Sequence, residues 1–177
     1  MTIQETAVRK ANRVSRIWAG LLIGAAAGAA GTTTLNVITY LDMAIRGRPA
    51  SSTPERTVAA MARLVHLTVP GSGDVLAARL SGLGALTGYT AGIGIGVILG
   101  LAYGLGWRPG LAVGMLAAAV FALIGTNGPM TVLGVTDPRT WGLVGWVSDL
   151  VPHIGYGVVT ALVLHYAFTW GPEPAAR

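Results

Sequence analysis

The side chains in this sequence that could perform chemistry are few, and three of them fall in one short stretch. Asp149 and His153 are four residues apart, and Tyr156 follows Asp149 by seven residues. On a helix, this spacing places all three side chains on one face. A carboxylate beside an imidazole stabilises the charged imidazolium, so the pattern is typical of a site that responds to protons.

The same stretch also fits a purely structural interpretation. Asp149 could cap the start of a helix that has Pro152 in its first turn, and His153 could hydrogen-bond a neighbouring helix. Asn36 and Asn127 lie in other segments, where they could complete a pocket or join helices by hydrogen bonds. Both interpretations concern one candidate polar pocket, which comprises Asn36, Asn127, Asp149, His153 and Tyr156.

Several other kinds of site are disfavoured by the residues present. The chain has no cysteine, which excludes disulfides, thiol catalysis and thiolate metal sites. His153 and His165 would lie about 18 Å apart on one helix, too far to ligate one haem iron together. Because no nucleophile triad or metal motif is visible, we expect a protein that is not an enzyme and has no metal or cofactor. A haem-binding membrane anchor is therefore a disfavoured alternative for its function.

The elements that must position these residues are membrane helices. Only 11% of the 177 residues are charged and 53% are hydrophobic, whereas soluble domains have roughly 25% charged residues. A helix needs about 20 mostly apolar residues to cross a bilayer. We therefore predict an all-α membrane protein, a single integral domain over residues 1–177, with four transmembrane helices at about 17–40, 81–105, 109–133 and 145–170.

The tryptophans and the basic residues support this division. The five tryptophans all fall at or near the ends of the predicted spans: Trp18, Trp107, Trp141, Trp146 and Trp170. Indole rings favour the headgroup level of a membrane. The net charge of +5 comes from basic residues scattered between apolar blocks, which indicates lipid contacts and topology signals. We therefore expect a lipid bilayer as partner and no nucleic acid.

The N-terminal basic cluster decides the predicted orientation. Arg9, Lys10, Arg13 and Arg16 precede the first span, and such clusters usually remain in the cytoplasm. A cleaved signal peptide is disfavoured because the apolar stretch continues to Tyr40, which is too long for one. We predict a multi-pass protein of a bacterial plasma (inner) membrane with both termini in the cytoplasm.

The long connection between the first two spans contains a candidate amphipathic helix at about 54–67. Thr53 is a suitable cap, Pro54 suits the first helical position, and Glu55 suits the first turn. Its predicted apolar face comprises Val58, Met61, Ala62 and Val65. Such a helix could lie on the membrane or pack over the bundle.

Glycine recurs every fourth residue through the second span. This glycine stripe comprises Gly84, Gly88, Gly92, Gly96, Gly100 and Gly104. Six glycines at one spacing form a groove that another backbone can approach closely. The first span offers a shorter matching set in Gly20, Gly24 and Gly28. The stripe therefore predicts either tight packing within one bundle or a homo-oligomer formed through the second span.

The second half of the chain resembles the YagU-like inner-membrane proteins. The resemblance rests on Gly128-Pro129-Met130, Leu133-Gly134 and the stretch from Ser148 to His153, with a proline-rich segment from Pro49 to Pro54 after the first span. Pro152 departs from the glycine expected before the histidine. The resemblance implies a multi-pass inner-membrane protein linked to acid tolerance, and it implies no mechanism.

Two functions follow as alternatives from these features. The first is a membrane protein without catalytic activity that has a structural, accessory or stress-related role. The second is a small oligomeric channel or transporter with a proton-sensitive pocket that faces outward. Against the second, the spans contain almost no ionisable residues that could relay a charge.

Overall fold

The computed structural model describes residues 3–169, which fold into five α-helices and one short 3-10 turn. The helices are α1 (Ile3–Arg46), α2 (Thr53–Leu64), α3 (Gly73–Gly104), α4 (Leu111–Val132) and α5 (Leu143–Thr169), and the turn is Pro138–Thr140. All except α2 are long and apolar enough to cross a membrane. The predicted all-helical class, with four spans and a short helix between the first two, is confirmed.

The predicted boundaries hold for two spans and are too short for the other two. The helices α4 and α5 begin within two residues of the predicted positions 109 and 145. By contrast, α1 extends beyond 17–40 at both ends and α3 begins at Gly73 instead of 81. Hydropathy identifies only the length of a helix that crosses the bilayer. Polar and charged residues continue α1 and α3 beyond that length into water. The predicted positions of Trp170 and the C-terminus lie outside the described residues.

The long helices run up and down, so the bundle has two ends. We call the end that holds the close of α1, the start of α3 and the start of α5 the Asp42 end, and the opposite end the Arg16 end. At the Asp42 end, the rings of Trp141 and Trp146 are 5.1 Å apart. Trp18 and Trp107 are exposed at the Arg16 end. This arrangement agrees with two aromatic belts at the two membrane surfaces.

The closest contact between long helices joins α1 to α3 through glycine. A Cβ atom added at Gly24 would lie 2.5 Å from the carbonyl oxygen of Gly96, and one added at Gly20 would lie 2.5 Å from that of Gly100. A Cβ atom added at Gly28 would likewise lie 2.6 Å from the carbonyl oxygen of Gly92. The two helices therefore touch along their backbones, and the predicted match between the two glycine sets is confirmed within one chain.

The remaining stripe glycines differ in what covers them. A Cβ atom at Gly104 would meet the carbonyl oxygen of Arg16 at 2.6 Å, and one at Gly84 would meet Pro54 of α2 at 3.0 Å. Gly88 has no neighbouring atom within 4 Å. Five of the six stripe positions are therefore occupied within the chain, and only Gly88 is left open. Self-association of the chain stays a prediction.

Helix α5 lies against α1 and α4, and it also reaches α3. Tyr156 is 1% exposed, packs on Gly31, and donates its hydroxyl to the carbonyl of Gly92 at 2.7 Å. Thr160 donates to the carbonyl of Ala27 on α1 at 3.3 Å. These two hydroxyls join three helices in the middle of the bundle. The surrounding hydrophobic core comprises Ala27, Ile95, Leu99, Tyr103, Ala118, Ala122 and Leu164.

The amphipathic helix α2 is shorter than predicted, and only part of its predicted apolar face is buried in the bundle. It begins at Thr53, which was predicted as the cap, and ends at Leu64 instead of 67. The chain reverses there, with His66 in the left-handed region at a φ of 56°. The buried residues are Thr57, Val58 and Ala60. Met61 and Val65 of the predicted apolar face are exposed, whereas Val58 is buried as α2 packs mainly on the start of α3. Contact of the exposed part with a membrane stays a prediction.

Candidate functional site

A polar cluster lies between α4 and α5 in the half of the bundle nearer the Asp42 end. Two prolines lie inside these helices, Pro129 in α4 and Pro152 in α5. A proline has no N–H group, so the carbonyl one turn earlier loses its usual helical donor. Both helices continue through these prolines, and each lacks one backbone hydrogen bond close to the cluster.

His153 is the centre of the cluster and is only 6% exposed. Its Nδ1 atom lies 2.7 Å from the backbone oxygen of Asp149, one turn earlier on α5. Its Nε2 atom lies 3.1 Å from the Oγ1 atom of Thr126 on α4. That hydroxyl oxygen in turn lies 2.9 Å from the backbone oxygen of Ala122. Both ring nitrogens of this buried histidine therefore have a partner.

These distances restrict where the protons lie. A backbone oxygen only accepts hydrogen bonds, so Nδ1 must carry a proton. The Thr126 hydroxyl has a single proton, which it can donate either to Nε2 of His153 or to the carbonyl of Ala122. In the first case the imidazole is neutral. In the second case Nε2 must carry its own proton and donate it to Thr126, and the imidazole is charged.

The cluster can therefore keep its hydrogen bonds with neutral or charged histidine, and the two states differ in the charge held beside Asp149. Rotation of the Thr126 hydroxyl reverses the direction of its bond to His153, and every polar atom of the pair stays bonded in both states. Keeping both partners bonded stabilises the fold, because a buried polar group without a partner is destabilising by about 1–3 kcal/mol.

Asp149 supplies the negative charge that a charged imidazole needs. Its Oδ1 atom is 3.5 Å from Nδ1 of His153, and its side chain is 19% exposed. Its Oδ2 atom accepts a hydrogen bond of 2.8 Å from Nδ2 of Asn127 on α4. Asn127 therefore orients the carboxylate beside the histidine, and the carboxylate connects the buried ring to the exterior of the bundle.

The structure brings together three of the five predicted pocket residues: Asn127, Asp149 and His153. Asn36 makes no side-chain hydrogen bond among the described residues, and α1 presents Thr34 and Ile38 to α5 instead. Tyr156 shares the face of His153 but bonds to α3, so its role is in helix packing.

The alternative in which Asp149 caps α5 is wrong. Helix α5 begins at Leu143, six residues before Asp149, and Pro152 lies well inside the helix. The predicted pocket also omitted Thr126, which is the hydroxyl that reaches His153. Its position beside Asn127 was the only available signal, because most threonines in these helices simply bond to their own backbone one turn earlier.

A second polar network ties α1 to the start of α5. Asp42 accepts hydrogen bonds from Arg46 at 2.6 Å and from Arg48 at 2.5 Å. Arg46 also donates to the hydroxyl of Ser148 at 2.5 Å. Sequence reasoning treated these arginines only as topology signals. In the structure, Arg46 and Arg48 both bind Asp42, and the bond from Arg46 to Ser148 fixes the end of α1 beside the residue that precedes Asp149.

Within residues 3–169, no three histidine, aspartate or glutamate side chains come close enough together to hold a metal ion. The chain matches no protein-family model, no curated protein and no solved structure. Its site is therefore interpreted from geometry alone.

Proposed function

We propose that this chain is a membrane protein of a bacterial inner membrane, without catalytic activity, whose His153 cluster takes up a proton when the exterior becomes acidic. The observation that carries this proposal is the hydrogen bonding of His153, since both ring nitrogens have partners that suit the charged and the neutral ring. A histidine fixed in one state would need only one of these arrangements.

The orientation of the chain supports an exterior source of protons. Four basic residues between positions 9 and 16 precede the apolar part of α1, and we propose that they hold the Arg16 end in the cytoplasm. The Asp42 end then faces outward. Asp149 would be the contact between the buried ring and the external solution, because its side chain is partly exposed.

The interior of the bundle favours a sensor over a conduit. Between the cluster and the Arg16 end, the buried side chains are mostly apolar, including Leu99, Ala118 and Leu164. The next histidine on α5 is His165, about 18 Å further along the helix. A proton bound at His153 would therefore return to the side it came from. A channel would require a pore between copies, for which the glycine stripe leaves only Gly88 free.

In this proposal, the site supplies the protonation event. The backbone contact between α1 and α3 supplies a fixed reference against which α4 and α5 can shift.

The absence of cysteine offers a direct test. Cysteines introduced at Val132 and Val144, both exposed at the adjoining ends of α4 and α5, would be the only attachment sites for spin labels. We expect the distance distribution between the two labels in nanodiscs to differ between about pH 8 and pH 5, the range in which histidine titrates.

The change should require His153. In a His153→Gln background the two distributions should coincide, whereas His66→Gln, which alters an exposed loop histidine, should leave the change intact. An unaltered distribution in the parent protein, or a change that survives in His153→Gln, would contradict the proposed function.

A further inference from the structure

A cleft of about 210 Å³ lies at the Asp42 end, between α2 and the turn that follows α4. Two arginines seven residues apart line it from the α2 side. The lining residues are Arg56, Ala59 and Arg63 on α2, and Leu133, Gly134 and Val135 on the turn. Positions i, i+3 and i+7 share one helix face, so both arginines border the same space. A cavity volume of roughly 10–15 Å³ is enough to hold one water molecule. The cleft therefore has room for a much larger group.

The two arginines of the cleft are unlike the other arginines nearby. Every other arginine at the Asp42 end donates to an acceptor of this chain: Arg46, Arg48, Arg79 and Arg139. Arg139, for example, lies 2.9 Å from Asp137, and this contact holds the pKa of the Asp137 carboxyl below its ordinary value. Arg56 and Arg63 have no hydrogen-bond or ion-pair partner among the described residues.

The charge of the cleft is not neutralised from within the chain. Glu55 is the only acidic residue of α2, and it forms no ion pair with either arginine. The backbone N–H groups of Leu133, Gly134 and Val135 are all bonded to carbonyls of α4. The cleft therefore presents two unpaired guanidinium groups beside a turn that offers no competing acceptor side chain. Arginine matches phosphate oxygens through paired N–H donors.

The residues around the cleft are of the types that favour the depth of lipid headgroups. Trp141 follows its lining by six residues and donates to the hydroxyl of Thr136, immediately beyond Val135. The last turn of α2 exposes Met61 and Leu64. Exposed apolar side chains and arginines on one short helix are typical of a helix that lies at a membrane surface.

We propose that the cleft binds a phosphate-ester anion between Arg56 and Arg63. The ligand chemistry is that of a phosphate group carried by an anionic phospholipid or free in solution. Binding there would hold α2 against the turn after α4, on the same end of the bundle as the His153 cluster but through separate residues.

Native mass spectrometry of the full chain in detergent tests this site with phosphatidylglycerol as the probe. We expect the double variant Arg56→Gln/Arg63→Gln to bind it about tenfold more weakly, since two charge-assisted hydrogen-bonding groups are lost. The matched control is Arg139→Gln at the same end, which should bind as the parent does. The substituted side chains are exposed, so the variants should fold, and circular dichroism would verify this.

Added inorganic phosphate separates the two sources. If it displaces the lipid from the parent protein, a soluble phosphate is a ligand of the site; if it does not, the site recognises the lipid headgroup, and the cleft binds phosphate in both cases. Unchanged lipid binding in the double variant, or an equal loss in Arg139→Gln, would overturn the proposal.

Discussion

The glycine contact between α1 and α3, which we call the seam, and the polar cluster between α4 and α5 are both helix contacts in one bundle. The seam is made by backbone atoms, whereas the cluster is made by side chains. Along the seam, backbone meets backbone at Gly24 and Gly96, with no side chain between them. In the cluster, the contact is made by the side chains of Thr126 and His153. A backbone contact has a single arrangement, whereas a side-chain contact with an exchangeable proton has two. The seam can therefore serve as the frame, and the cluster as the part that responds.

The largest effect should follow from filling the seam. We expect Gly96→Leu to abolish a stable fold, because a side chain at this position would collide with the backbone of Gly24 and Gly28. Overpacking against flexible neighbours is destabilising by about 1–3 kcal/mol, and here the neighbours are backbone atoms that cannot rotate away. Yield after size-exclusion chromatography and thermal stability in detergent would measure the loss.

Gly88→Leu is the matched control for this substitution. It lies in the same helix and at the same spacing, and nothing lies within 4 Å of it. It should be purified and melt much as the parent protein does. Equal damage in Gly88→Leu would show that the stripe acts through helix formation or a partner, not through the seam with α1.

A smaller effect is expected from removing the hydroxyl of the cluster. Thr126→Val leaves Nε2 of His153 without a partner, which should be destabilising by about 1–3 kcal/mol. The loss should be greater at acidic pH, because a charged donor without a partner is less favourable than a neutral acceptor without one. Thermal melts at two pH values would measure both quantities.

Two further variants separate the hydroxyl from the helix. Thr126→Ser keeps the hydroxyl and should restore most of the stability. Thr87→Val removes a partly exposed threonine that makes the same bond to its own helix and reaches no histidine, so it should have little effect at any pH. If Thr126→Val melted as the parent does at both pH values, the bond to His153 would contribute nothing.

The smallest effect should come from the link between the seam and α5. Tyr156→Phe removes the hydrogen bond to the carbonyl of Gly92 but keeps the ring in place. Hydrogen bonds between membrane helices contribute about 0.6 kcal/mol on average, so we expect a small loss of stability that does not depend on pH. Tyr89→Phe, on the exposed side of α3, is the control. A pH-dependent loss in Tyr156→Phe would mean that the two regions are coupled.

The sequence predicted what depends on periodicity and hydropathy. Four apolar segments identified the spans, and glycine at every fourth position identified both faces of the seam. The spacing of Asp149 and His153 placed them on one face. Each of these features is local to one helix, so it can be recognised without knowing the neighbouring helix.

What the sequence did not predict depends on rotation and contact between helices. Nothing in the local pattern distinguishes Thr126, which reaches His153, from Asn36, which does not. Nor could the pattern show that Arg46 reaches Ser148, more than one hundred residues away. The amphipathic spacing of α2 indicated an apolar face but could not show that Val58 is buried in the bundle while Met61 is exposed.

The most direct test of the account is the tautomer and charge of His153, read from the 15N chemical shifts of its ring in nanodiscs. At alkaline pH, the account predicts a neutral ring with the proton on Nδ1, because that atom faces the carbonyl of Asp149. On acidification, Nε2 should also gain a proton while the contact to Thr126 is retained. A neutral ring with its proton on Nε2, or a ring that keeps one state across the whole pH range, would contradict the account.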